Sequence, residues 1–149
     1  MTNEGKQFRT TEVYQLHYFI SALDYVAEQI LNEELEIKYT EFLLLMHIDI
    51  SGPSTQEALV NLSGYSKSAI SKRVESLVQK GLYSRTQNPT NRRQNIIQLT
   101  KKGIEVLKQA YTLLTNASEK YFTLLDKRLT FKEQVQTLYE RIQKNDMCD

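Results

Sequence analysis

A single cysteine, Cys148, stands in 149 residues. It excludes an internal disulfide framework and fits a reducing compartment. Proline and glycine are scarce, two and five, and the apolar spacing is mostly helical, which favours a mainly α protein. No apolar run reaches the ~18 residues a bilayer span needs. The first ten residues are polar and lack the apolar core of a signal peptide. The expected location is therefore the cytoplasm, with no membrane partner. Histidine is limited to His17 and His47. Zinc takes about four N, S or O ligands, and nothing in the spacing of these residues suggests such a set, so neither a metal nor another cofactor is expected. A glycine-rich phosphate loop and a nucleophile beside a plausible base are missing too. The chain is not expected to be an enzyme. Its length suggests one domain over residues 1–149, with no internal repeat or low-complexity segment.

Acid is missing from one stretch in particular. Between Ser66 and Lys102 there are nine Lys or Arg and one acid, Glu75, a local net of +8. The rest of the chain holds ten basic and seventeen acidic residues, a net of −7. The overall +1 thus hides a basic block in an acidic body. Such a block on a helix-turn-helix is the electrostatic footprint of a nucleic-acid binder.

The pattern around that block predicts its structure. Val13, Leu16, Ile20, Leu23, Ala27 and Ile30 step by three and four, a heptad seam on a long first helix. Such a seam serves equally as a core face or as a helix-helix dimer contact. A second helix is expected over Thr40–Asp49, ended by Ser51-Gly52-Pro53. Ser54-Thr55-Gln56-Glu57 has the capping-box pattern and opens a short helix through Ala58, Leu59 and Leu62. Ser63-Gly64-Tyr65 is a turn, and Ser66 caps the next helix. In that helix Ile70, Val74, Leu77 and Val78 form an apolar stripe, with Lys67, Ser68, Ser71, Lys72 and Glu75 toward the other side. Gly81 closes it. Leu82–Gln87 and Asn95–Thr100 bracket a polar tip, Asn88 to Gln94, as a two-stranded wing. A long helix follows from Lys101, with Ile104, Leu107, Tyr111, Leu114, Tyr121 and Leu125 near heptad spacing. A second capping box at Thr130 opens a final helix with Val135, Leu138 and Ile142. The expected architecture is mainly α with a small β-wing. A winged helix-turn-helix over 39–100 lies between long helices, 10–36 and 101–146, whose excess apolar surface calls for a partner.

A recognition helix enters the major groove N-terminal end first and needs short hydrogen-bonding groups or long cations on its outer face. Ser66, Lys67, Ser68, Ser71 and Lys72 meet that need. Lys72 and Arg73 can reach bases or phosphates, and only arginine can make the bidentate contact to guanine. Amides at the helix start near Ser54 and Thr55 can hold a phosphate. Arg92 and Arg93 at the wing tip suit a narrow minor groove, where the negative potential is enhanced.

The run Ser66-Lys67-Ser68-Ala69-Ile70-Ser71-Lys72-Arg73-Val74 resembles MarR-type transcriptional regulators. So do Leu77-Val78-Gln79-Lys80-Gly81-Leu82, Asn88-Pro89-Thr90-Asn91-Arg92-Arg93 and Gln98-Leu99-Thr100-Lys101-Lys102-Gly103. The flanking long helices match that layout too. The most specific part is the wing-to-helix motif with its Leu-Thr-x-x-Gly ending. The resemblance implies a homodimer built from the N- and C-terminal helices that binds double-stranded DNA at a palindromic operator, as a repressor often relieved by a small-molecule effector. It implies an effector pocket between those helices and the DNA-binding lobe, where Tyr14, His17, Tyr18 and Tyr111 would lie. The family usually has Asp at the position of Asn91, orienting the arginine equivalent to Arg93. Asn91 can still accept a hydrogen bond, without charge assistance.

Other readings remain open at this stage. His17 between Tyr14 and Tyr18 reads also as a half-buried polar residue near the dimer face, and the three tyrosines as plain core or interface residues. Cys148 reads as an inert tail thiol; the peroxide-sensing cysteine that some relatives carry near the N-terminus is missing. A winged-helix module that docks an acidic protein partner is the alternative to a DNA-binding regulator. It would have no need of paired arginines beside a Ser/Lys face.

Overall fold

Thr11 begins the first helix for a local reason. Its backbone is extended and its hydroxyl accepts from the Tyr14 amide at 3.3 Å, which satisfies one orphan donor of the first turn. From there α1 runs Glu12–Leu35 in the computed structural model, which describes residues 11–122. The heptad seam divides along this helix. Ala27 and Leu31 are buried, while Val13, Leu16 and Ile20 are exposed. The C-terminal half therefore packs on the core, and the N-terminal half presents apolar side chains outward. Glu36 ends α1 in the left-handed region, φ 53°, its amide donating to the Leu31 carbonyl.

Helix α2 covers Tyr39–Ser51, slightly longer than expected at both ends. Phe42, Leu44, Leu45 and Ile48 are buried on it. The next element corrects the sequence reading. Ser54–Thr55 forms a short strand, β1, antiparallel to the wing, with Ser54 opposite Ile97 and Thr55 opposite Ile96. Helix α3, Gln56–Ser63, is capped by Thr55, whose hydroxyl accepts from the Ala58 amide at 3.2 Å. Ser54 was the expected cap, but its backbone belongs to the strand, and its hydroxyl donates to the Gly52 carbonyl. Glu57 does not reach back as a capping box would; it accepts from Gln94 of the wing.

Gly64 closes α3 at φ 68°, a conformation that costs glycine nothing. Ser66 caps α4, Lys67–Gln79, by accepting from the Ala69 amide. Ile70, Val74 and Leu77 are buried on α4, as their spacing requires. Strands β2, Tyr83–Gln87, and β3, Asn95–Leu99, form the wing, and β1 adds to β3 to give the order β1-β3-β2.

Helix α5, Lys101–Phe122, leaves the wing through the Leu-Thr-x-x-Gly motif. The Thr100 hydroxyl donates to the Gly81 carbonyl at 2.6 Å and accepts from the Gly103 amide at 2.9 Å. The Thr100 amide donates to the Leu82 carbonyl. A Cβ on Gly103 would collide with that same carbonyl. The glycine is thus needed for close backbone approach rather than for an unusual φ.

Internal contacts divide the chain into Met1–Leu113 and Leu114–Asp149. The first unit centres on Leu31, Leu44, Leu59, Ile70, Leu77 and Ile97, all buried. In the second, residues 114–122 are described, as helix. The expected final helix after Thr130, the reach of the dimerisation helix to 146 and Cys148 lie outside the described residues. No described helix is long and apolar enough to cross a membrane. Among the described residues no group of three or more His, Cys, Asp or Glu could hold a metal.

Candidate nucleic-acid interface

The turn at Gly64 and the cap at Ser66 bring the N-terminal end of α4 to the surface. Ser66, Lys67, Ser68, Ser71 and Lys72 are exposed there, on the side away from Ile70, Val74 and Leu77. The Ser66 and Ser68 hydroxyls lie 3.3 Å apart. Short hydroxyls and long cations thus share one outward face, as a groove-reading helix requires.

Arg73 is held differently from its neighbour Lys72. It is half-buried, and its guanidinium carbon lies 4.4 Å from the centroid of the Tyr65 ring, a cation–π arrangement. Tyr65 in turn lies near Tyr39. Burial, then the charge and hydrogen bond of Asp24, push the Tyr39 phenol up to about 12, with a smaller contribution from Tyr65. Tyr39 and Phe42 stack, and Tyr111 packs edge-on against Phe42. Tyr65 was read only as a turn residue in the sequence; no local spacing marks it as the support for an arginine eight positions on.

The wing tip is organised by its amides and asparagines. Asn88 Oδ1 accepts from both the amide and the hydroxyl of Thr90. Asn91 Oδ1 accepts from the Arg93 amide at 3.2 Å, and its carbonyl accepts from the Gln94 amide. Gln87 Nε2 donates to the Arg92 carbonyl at 3.1 Å. Asn91 therefore acts on the Arg93 backbone, fixing the turn that presents the side chain. Arg92 and Arg93 are exposed, and neither takes part in an ion pair among the described residues.

A cleft of about 530 Å³ joins these parts. Thr55, Glu57 and Asn61 of the α3 region line it, with Lys67 at the start of α4 and Arg85, Arg93 and Gln94 of the wing. Glu57 inside it accepts from Gln94 Nε2 at 3.1 Å, tying α3 to the wing. Ser54 and Thr55 are half-buried beside it. The Thr55 hydroxyl already caps α3.

Some of the basic block is committed internally. Lys80 pairs with buried Glu41 at 2.7 Å, and Arg85 pairs with Glu75 at 3.2 Å. Lys102 Nζ donates to the Lys80 carbonyl. The charge turned outward is therefore smaller than the sequence count.

The expected effector residues fall into two sets of contacts. Tyr14 and Tyr18 stack with centroids 6.5 Å apart, and Tyr18 and His17 are exposed on the single chain. Tyr111 packs on Phe42 and donates to Asp49 at 3.2 Å.

Residues 35–94 match the model of the MarR family, from the end of α1 through the wing tip. The fold agrees over far more of the chain. Apo MarR from E. coli superposes with a TM-score of 0.80 at 21% identity, covering 86% of this chain and 96% of that one. The chain has the winged-helix fold of MarR. BldR from Sulfolobus solfataricus, a transcriptional regulator, gives a TM-score of 0.76 at 21% identity over 95% of this chain and 99% of its own. A variant of E. coli MarR complexed with operator DNA gives 0.68 at 22% identity, covering 85% and 95%. No curated relative matches this chain.

Proposed function

We propose that this protein is a MarR-type transcriptional regulator that acts in the cytoplasm as a homodimeric repressor. It would bind a palindromic operator and be released by a small-molecule effector. The observation that carries the reading is the single surface formed by the Ser66–Lys72 face of α4 and the Arg92–Arg93 wing tip, joined by the cleft that Lys67 and Arg93 share. Lys72 and the serines would face base edges in the major groove. Arg92 and Arg93 would enter the flanking minor groove. Asn91 would hold the tip in shape, and Ser54 and Thr55 would lie against the phosphate backbone. A protein of the same fold is known in complex with operator DNA.

The dimer reading rests on α1. Val13, Tyr18, Ile20 and Tyr25 expose apolar surface along its N-terminal part, Val13 at 72% and Tyr25 at 67%. A second copy would cover it, since apolar rows of this kind mark interaction surfaces. Two recognition helices would then meet successive major grooves ~34–36 Å apart. The effector would sit near Tyr14, His17, Tyr18 and Tyr111, as the family layout implies.

Selection from a random duplex library tests the reading. Enrichment of an inverted repeat supports it. No enriched sequence, together with capture of an acidic protein through the same basic surface, would replace it with the protein-docking module.

A further inference from the structure

Glu41 is a charged residue buried among the described residues, 3% exposed, and the DNA-facing surface makes no use of it. Its carboxylate is fully engaged. Oε2 accepts from the Lys38 amide at 2.9 Å and from Lys80 Nζ at 2.7 Å. Oε1 accepts from the Ser76 hydroxyl at 2.6 Å. Ser76 lies in the last turn of α4 and Lys80 directly follows that helix. The Lys80 ammonium also donates to the Glu36 carbonyl at 2.9 Å, at the left-handed residue between α1 and α2. One carboxylate and one ammonium thus tie the end of the recognition helix to the elbow between α1 and α2.

Stability alone does not call for such a node. Replacing a buried ion pair by apolar residues of similar volume is often neutral or stabilising. Apolar contacts at Ile70, Val74 and Leu77 already hold α4 to the core, but the hydrophobic effect is non-directional. It resists separation of helices more than their rotation. Hydrogen bonds to a carboxylate are directional and charge-assisted. A satisfied buried polar network selects one arrangement. The node lies where that selection matters, between the helix with the exposed apolar row and the helix with the Ser/Lys face.

We propose that Glu41, with Lys80 and Ser76, is a positioning residue that fixes the angle between the recognition helix and α1. It thereby sets which half-site spacing the dimer accepts. This inference rests on the operator-binding reading above. Glu41→Gln keeps the size and removes the charge, and its amide group opposes a donor where the carboxylate accepted. Ser76→Ala removes one bond and leaves the ion pair, as a milder variant should Glu41→Gln not fold.

The experiment has two arms. In the first, the affinity of wild type and variants is measured for the selected operator and for versions with one base pair inserted or removed between half-sites. Wild type should prefer its own spacing by roughly ten-fold, and Glu41→Gln should reduce that preference to about two-fold. In the second, without DNA, spin labels at Ser71→Cys in a Cys148→Ser background report the distance between the two recognition helices. The distribution should be narrow in the otherwise unaltered protein and broader with Glu41→Gln or Ser76→Ala. Unchanged spacing preference and unchanged distance distribution, with only a lower melting temperature, would overturn the proposal and leave Glu41 a purely structural residue. If wild type selects no operator, the operator reading fails and the label distances alone decide the positioning role.

Discussion

The guanidinium of Arg73 rests 4.4 Å from the centre of the Tyr65 ring, so the turn before α4 holds an arginine in the second turn of that helix. Contact with the ring restricts the rotamers open to Arg73. Arginine stacked in this way loses less freedom when it meets a base or phosphate.

Removing that support should weaken binding without removing a charge. Tyr65→Phe keeps the ring and should stay within about two-fold of wild type. Tyr65→Leu should lower operator affinity by about five-fold, the equivalent of ~1 kcal/mol. Fluorescence anisotropy with a labelled duplex reads both. Equal affinities for the two variants would show that the stacking does not contribute.

The wing predicts a split between affinity and salt dependence. Arg93→Ala should reduce affinity and also flatten the dependence of log K on log salt by about one unit, for one cation withdrawn from between the phosphates that wall the minor groove. Asn91→Ala removes the acceptor of the Arg93 amide but no cation. It should lower affinity and leave the salt slope unchanged. A changed slope in Asn91→Ala would mean that Asn91 orders more than the turn.

These features differ in how far the sequence displays them. The Ser66 cap, the Ile70–Val74–Leu77 stripe and the polar wing tip are encoded within a few residues, and each stands where its pattern placed it. Strand β1 escaped notice because two residues are too few to show alternation, and its pairing with Ile96 and Ile97 is non-local. That pairing moved the α3 cap from Ser54 to Thr55. The bonds of Glu41 to Ser76 and Lys80 span 35 and 39 residues, and no periodicity carries such a relationship. Sequence counting placed Lys80 and Arg85 in the basic surface, whereas the fold pairs both with glutamates.

Gly103 tests the packing at the wing-to-helix junction. Gly103→Ala places a methyl group against the Leu82 carbonyl, where the backbone of each side is held by the Thr100 bonds. Overpacking of this kind costs about 1–3 kcal/mol. The variant should melt several degrees lower, read by circular dichroism. A melting temperature equal to that of wild type would mean that the junction can open without cost.

Acid should act through Glu41. Burial alone would raise its carboxyl, but hydrogen bonds from Lys38, Lys80 and Ser76 and the Lys80 charge outweigh burial and hold it below its ordinary value of 4.5. A depressed folded value means the contribution is fully present above the unfolded value. It is lost as pH falls through the folded one. Wild type should therefore lose stability below about pH 4.5 more steeply than Glu41→Gln. Urea unfolding at stepped pH measures this, and parallel curves for the two proteins would remove Glu41 from the acid response.

The most direct measurement is a titration of a labelled duplex from upstream of the protein's own gene, with scrambled duplex as control and salt varied. Wild type is compared with the Arg92→Ala/Arg93→Ala variant. The account predicts tight, salt-sensitive and sequence-selective binding, two chains per duplex, and a marked loss in the double variant. Binding that ignores sequence, or that survives loss of both wing arginines, would contradict it.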